Sequence, residues 1–104
     1  MFKRINEEKP EVLQKVIPVF GAVDINENCG LSGEHLKKVL EDTELVFHMA
    51  ASLKLEATLK SNIKMNLLGT KHVLGMCKRM PNLLLMIHLS TAFCTSDESG
   101  TLYE

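Results

Sequence analysis

Residues 44–91 read ELVFHMAASLKLEATLKSNIKMNLLGTKHVLGMCKRMPNLLLMIHLST. The stretch opens on a continuous apolar run, Leu45, Val46 and Phe47, and closes on another, Leu83 to Leu89. Runs without polar alternation are those of parallel strands covered on both faces. Between them, from about Glu56 to Arg79, apolar residues recur at three, four and seven positions: Leu55, Leu59, Ile63, Leu67, Leu74 and Cys77. That spacing predicts one long helix with Lys60, Lys64, Lys71 and Lys78 on its other faces. Thr70 sits near the apolar face, and Pro81 stops the helix. Strand, long helix, strand is a crossover unit with a right-handed connection and parallel strands.

The pattern extends upstream. Ser32 is placed to cap a helix over GEHLKKVLED, with Glu34 in its first turn and Leu36, Val39 and Leu40 on one face. Before it, DINENCGLS is a loop dense in turn formers. Residues 16–20, VIPVF, read as a further short buried strand ended by Gly21, edge-like because Pro18 lacks a backbone N–H. INEEKPEVLQK holds one or two helical turns, with Pro10 near the start of the second. The expectation is an α/β chain whose segments ending at Phe20, Phe47 and Leu89 lie side by side and point the same way, with helices on both faces. Three parallel strands make a poor sheet by themselves, so the chain is expected to be an internal piece of a larger α/β protein.

With 104 residues the chain has room for one small domain. Its 12 basic and 13 acidic residues give a net charge of -1, no general field for nucleic acid. No apolar run reaches the length of a membrane-spanning helix, and MFKRINEEKP lacks the apolar core of a signal peptide. Cys29, Cys77 and Cys94 are odd in number and form no CxxC, so neither a disulfide framework nor a zinc site is indicated. Four dispersed histidines form no HxH or HxxxH pair, so no metal is expected.

In open α/β sheets ligands bind beyond the carboxyl ends of the strands. Three loops qualify: GAVD at 21–24, HMAAS at 48–52 and STAFC at 90–94. All are rich in small or hydroxyl side chains. Small residues let a flat or charged ligand approach the backbone, and adjacent hydroxyls such as Ser90 and Thr91 can hydrogen-bond a carbonyl oxygen.

These segments also carry a family resemblance. VIPVFGAVD, GLSGEHLKKVLEDTELVFHMAAS and MNLLGTKHVLGMCKRMPNLLLMIHLSTAFC, in that order, resemble the NAD(P)-binding reductase domain of fatty acyl-CoA reductases, in the extended short-chain dehydrogenase/reductase superfamily. VFHMAA, NLLGT and HLSTAFC are the most specific parts, and the resemblance runs from about Phe2 to Cys94. It implies that residues 1–104 are the central part of one NAD(P)-binding domain, an incomplete Rossmann-type parallel sheet of about three strands with flanking helices. It further implies reduction of long-chain acyl-CoA to fatty alcohol with NADPH, in parents that work at peroxisomal or endoplasmic-reticulum membranes.

Residue by residue, Gly21, Ala22 and Val23 match a Gly-Asp-Val loop whose Asp contacts the adenine; here that position is Ala22, with Asp24 two residues on. Ala50 and Ala51 match the small pair beside the cofactor's ribose and pyrophosphate. Asn66 matches an Asn that orders a water near the active site. Ser90 and Thr91 match the hydroxyl pair that polarises the substrate carbonyl. The implied reaction is hydride transfer from NADPH to a thioester carbonyl and then to the aldehyde, with a Tyr supplying the proton. The sequence contains neither a GxGxxG-type loop nor a YxxxK. The isolated chain is therefore expected to be inactive. Tyr103, the only Tyr, reads as a surface-loop residue.

Other residues have plainer readings. His48 and His88 are expected to be packed at strand ends with backbone partners, His35 and His72 to be solvated on helix faces. Cys94 reads as a buried or loop thiol, and the lysines of the long helix as a solvated face. Two alternatives stand beside the main reading. One is another extended reductase acting on a carrier-bound thioester or a nucleotide sugar; the other is a non-catalytic remnant.

Overall fold

The computed structural model describes residues 2–54, 56–91 and 100. Cys94 and Tyr103 lie outside them, as do Leu55 and residues 92–93 of the STAFC loop. The chain opens with α1 (Lys3–Glu8) and a 3-10 turn (Pro10–Lys15), neither of which buries a residue. Next come α2 (Gly33–Asp42), β1 (Leu45–His48), a three-part helix and β2 (Leu85–His88). The helix begins with α3 (Leu59–Asn62), capped by Thr58, whose hydroxyl accepts from Ser61 N at 3.3 Å. A π-helical stretch (Ile63–Leu68) follows, its widened turn closed by Gly69 N–H donating to Lys64 O, five residues back. The rod ends as α4 (Gly69–Cys77).

β1 and β2 pair in parallel with Leu45 opposite Leu85 and His48 opposite His88. Leu84 N–H donates to Glu44 O at 2.8 Å before the ladder, and Leu89 N–H to His48 O at 3.0 Å after it. The crossover expected of residues 44–91 is thus present, with both strands shorter or shifted by a residue or two at their ends. Ser32 stands at the cap position of α2, yet its hydroxyl makes no capping bond; its carbonyl accepts from Leu36 N at 3.4 Å.

The expected strand at residues 16–20 is not formed. The described residues hold one sheet of two strands, and Phe20 is 94% exposed. The reason is pairing. In doubly wound sheets of strand order 3-2-1-4-5-6, the third strand is separated from the fourth by two others. The family resemblance puts residues 16–20 in that third position, beside neither β1 nor β2. Pro18, without an N–H, does nothing to recruit one.

The core is small and sulfur-rich: Cys29, Met76, Cys77 and Met80 are buried together. Leu36, Val39 and Leu40 of α2, Val73 of α4, and Val46 and Met86 of the strands pack against them. Strand side chains of opposite parity, Leu45, Phe47, Leu85 and Ile87, stay largely exposed. Helices on both faces of the sheet, as expected from the sequence, are therefore not what the described residues show.

Candidate functional site at the carboxyl edge of the sheet

The loop after residue 20 is a compact turn held by its own backbone. Ala22 N–H donates to Cys29 O at 2.8 Å, and Cys29 N–H to Asn26 O at 2.9 Å. Asn26 Oδ1 accepts from the N–H groups of Asn28 and Gly30. Gly30 has φ +73°, and a Cβ there would stand 3.2 Å from Ala22 N, so glycine is required. Cys29, at φ 52°, takes the same left-handed region with a side chain, which is buried in the core. Arg79 beyond α4 donates to Asn28 Oδ1 at 2.8 Å and fixes the loop from outside.

Helix and loop meet closely. A Cβ at Gly69 would lie 2.8 Å from Val23 Cγ2, so the absent side chain lets Val23 sit on the helix. His72, expected to be solvated, instead uses Nδ1–H to reach Val23 O at 2.8 Å and is half-buried. Lys64, read as part of a solvated face, pairs with Asp24 Oδ2 at 3.2 Å. These partners are distant in sequence, and nothing in the helical spacing of either residue marks them.

Gly21, Ala22, Val23 and Asp24 form one wall of an open hollow. Ala50, from the loop after β1, lines it too, with Met65, Val19, Cys29 and Leu31. Of the residues matched to the cofactor, Gly21, Asp24 and Ala50 are brought together here. Ala51 is exposed and does not line the hollow. Ser90 and Thr91 lie beyond the end of β2, one strand over, both exposed.

Behind the loop 49–52 runs a hydrogen-bonded chain. Asn66, in the π-helical stretch, accepts from Ser52 N at 2.8 Å through Oδ1 and donates to Ser52 O at 3.2 Å through Nδ2. Thr70 Oγ1 donates to Asn66 O at 2.7 Å. Having given its only proton, that hydroxyl accepts from His48, whose Nε2 is 3.0 Å away. His48 is 4% exposed and stacks on His88 with ring centroids 5.0 Å apart. Its partner is thus a side chain, not the backbone expected of it. Burial, and secondarily the nearby His88, pushes the His48 pKa below its ordinary 6.5.

The hollow's chemistry suits one part of a nicotinamide dinucleotide. Aliphatic walls from Val19, Leu31 and Met65 beside one carboxylate match a flat base with polar edges. Ala22 offers no side-chain acceptor, and Asp24 already holds Lys64. No glycine-rich phosphate loop stands beside it among the described residues. The described residues contain no helix long and apolar enough to cross a membrane.

Comparison with known proteins gives one consistent answer. The family model described as male sterility protein, an NAD-binding model, matches residues 1–104. A putative fatty acyl-CoA reductase of Drosophila melanogaster is 32% identical over 104 residues, covering 100% of this chain and 18% of its own length. Fatty acyl-CoA reductase 2 of Mus musculus is 33% identical over 94 residues, covering 89% of the chain and 18% of its own length. Fatty acyl-CoA reductase 1 of Gallus gallus is 32% identical over 93 residues, with the same coverage. The chain therefore spans about a fifth of the length of these curated relatives. No solved structure matches.

Proposed function

The chain belongs to the male sterility protein family of NAD-binding domains, its curated relatives are fatty acyl-CoA reductases, and from that premise we propose that it supplies part of an NADPH-dependent reductase of long-chain acyl-CoA to fatty alcohol. One observation carries the reading. The in-register parallel pair sets the loop bearing Ala50 and the hydroxyls of Ser90 and Thr91 at the same carboxyl edge, with Gly21–Asp24 and Ala50 lining one hollow. Val23, Asp24 and Ala22 would flank the adenine. Ala50 and Ala51 keep the edge low enough for a ribose and its phosphates to approach. Asn66 holds the Ala50 loop by its two bonds to Ser52. A hydroxyl of Ser90 or Thr91 donates a hydrogen bond to the substrate's carbonyl oxygen, where negative charge grows during reduction. The reduced nicotinamide, when bound, supplies the hydride.

The chain by itself lacks a phosphate loop and a Tyr-Lys pair, and we place it as inactive alone. Amide NMR of the chain titrated with NADPH and, separately, NADH tests both parts. Expected is binding weaker than about 1 mM, with shifts confined to 21–24 and 49–51, larger for NADPH, and no NADPH oxidation when palmitoyl-CoA is added. Shifts that miss the hollow overturn the site, tight saturable binding overturns the incomplete-site reading, and turnover overturns the inactivity.

A further inference from the structure

We propose that His48, acting through Thr70, is a positioning residue that sets the loop Met49–Ser52 against the nucleotide hollow. The inference rests on the proposed nucleotide role of that hollow. The loop cannot be held by burial: Met49, Ala50 and Ala51 are all exposed. Its two ends are instead tied to the helix one turn apart. At the β1 end, His48 Nε2 and Thr70 Oγ1 are hydrogen-bonded at 3.0 Å. At the far end, Ser52 N–H and O are both engaged by the Asn66 carboxamide. The tie points are themselves joined, because Thr70 Oγ1–H donates to Asn66 O at 2.7 Å. Residues 48 and 52 are four apart, and so are 66 and 70, so the loop spans a single helical turn like a strap over a rod.

Each donor has one acceptor, and this fixes directions. Thr70 has one proton; given to Asn66 O, it leaves the hydroxyl to accept from His48, which then carries its proton on Nε2. A valine at 70 has nearly the same shape but removes both bonds at once. It leaves the buried His48 N–H without a partner, the more damaging half of a broken hydrogen bond. A serine at 70 keeps the hydroxyl. The strap carries Ala50, the residue of this loop that lines the hollow together with Gly21–Asp24. Loosening the tie shifts Ala50 without altering residues 21–24.

The test uses the full chain labelled with nitrogen-15. In the unmodified protein, two-bond proton–nitrogen correlations of the imidazoles report the His48 tautomer without any substitution. Expected is protonated Nε2; protonated Nδ1 overturns the inference. Amide exchange is then compared in Thr70→Val and Thr70→Ser, with unchanged α2 amides confirming that the fold is kept. Expected is exchange of the Ser52 amide about fivefold faster in Thr70→Val and close to unmodified in Thr70→Ser. Equal exchange in all three proteins, or a loss in Thr70→Ser as large as in Thr70→Val, overturns it. A parallel NADPH titration separates the two readings. If NADPH leaves 21–24 and 49–51 unshifted in the unmodified chain, the nucleotide reading fails, while tautomer and exchange still decide whether His48 and Thr70 hold the strap.

Discussion

Residues 16–20, VIPVF, and residues 45–48, LVFH, are both short and largely apolar, yet only the second is a strand. Leu45–His48 has β2 beside it in register and Met76, Cys77 and Met80 beneath Val46. Residues 16–20 have neither, and Val16, Ile17 and Phe20 lie exposed. An apolar run states that a segment is to be covered. Whether it becomes a strand is decided by a neighbour that takes its backbone hydrogen bonds and a layer that takes its side chains.

The contrast predicts very unequal costs of substitution. Met76, 5% exposed, contacts the core. Met76→Ala is expected to cost about 2–5 kcal/mol in urea unfolding followed by circular dichroism. Phe20→Ala removes a larger side chain and is expected to change stability by less than about 0.5 kcal/mol, because that ring is not packed. Comparable losses at the two sites would erase the distinction. Gly30→Ala comes next, at about 1–2 kcal/mol in the same assay, since the new Cβ meets Ala22 N in a left-handed backbone. It sharpens the contrast by showing that the turn, unlike the segment before it, is tightly specified.

Stability should also bend with pH on the packed side. His48 is held neutral by burial, with a folded pKa below 6.5, so the unfolded chain binds the proton first. Its contribution is complete above 6.5 and is lost as pH falls from there toward the lower folded value. Burial raises the Cys29 thiol above 9.0 against the pull of Arg79, and burial raises Cys77 as well. Their contribution is complete below 9.0 and is lost as pH rises past it. Urea midpoints are therefore expected to form a plateau between these limits, with the acid limb flattened in His48→Gln and the alkaline limb in Cys29→Ala. Smallest is Lys64→Met. Its pair with Asp24 has a largely exposed cation and is worth about 0–1 kcal/mol, detectable as a loss that disappears in high salt.

Much of the scaffold was legible in the sequence. Unbroken apolar runs marked β1 and β2, seven-residue recurrence marked the helix between them, and Ser32 marked the start of α2. Small residues after the strands pointed to the edge where Gly21, Asp24 and Ala50 gather. What was not legible depends on contacts between distant residues. The π-helical widening at Ile63–Leu68 follows no local propensity. The bond from His72 to Val23 O joins positions 49 residues apart, and that from His48 to Thr70 joins positions 22 apart. Residues 16–20 read as a strand and form none for the same reason, since strand pairing is a property of neighbours, not of the segment.

The most direct measurement replaces the matched segment of the putative fatty acyl-CoA reductase of Drosophila melanogaster with residues 1–104 of this chain and follows NADPH-dependent reduction of palmitoyl-CoA. The account predicts reduction above background, abolished when Ser90→Ala and Thr91→Val are combined. A soluble, folded hybrid that binds NADPH but reduces no palmitoyl-CoA, or one indifferent to losing both hydroxyls, would contradict it.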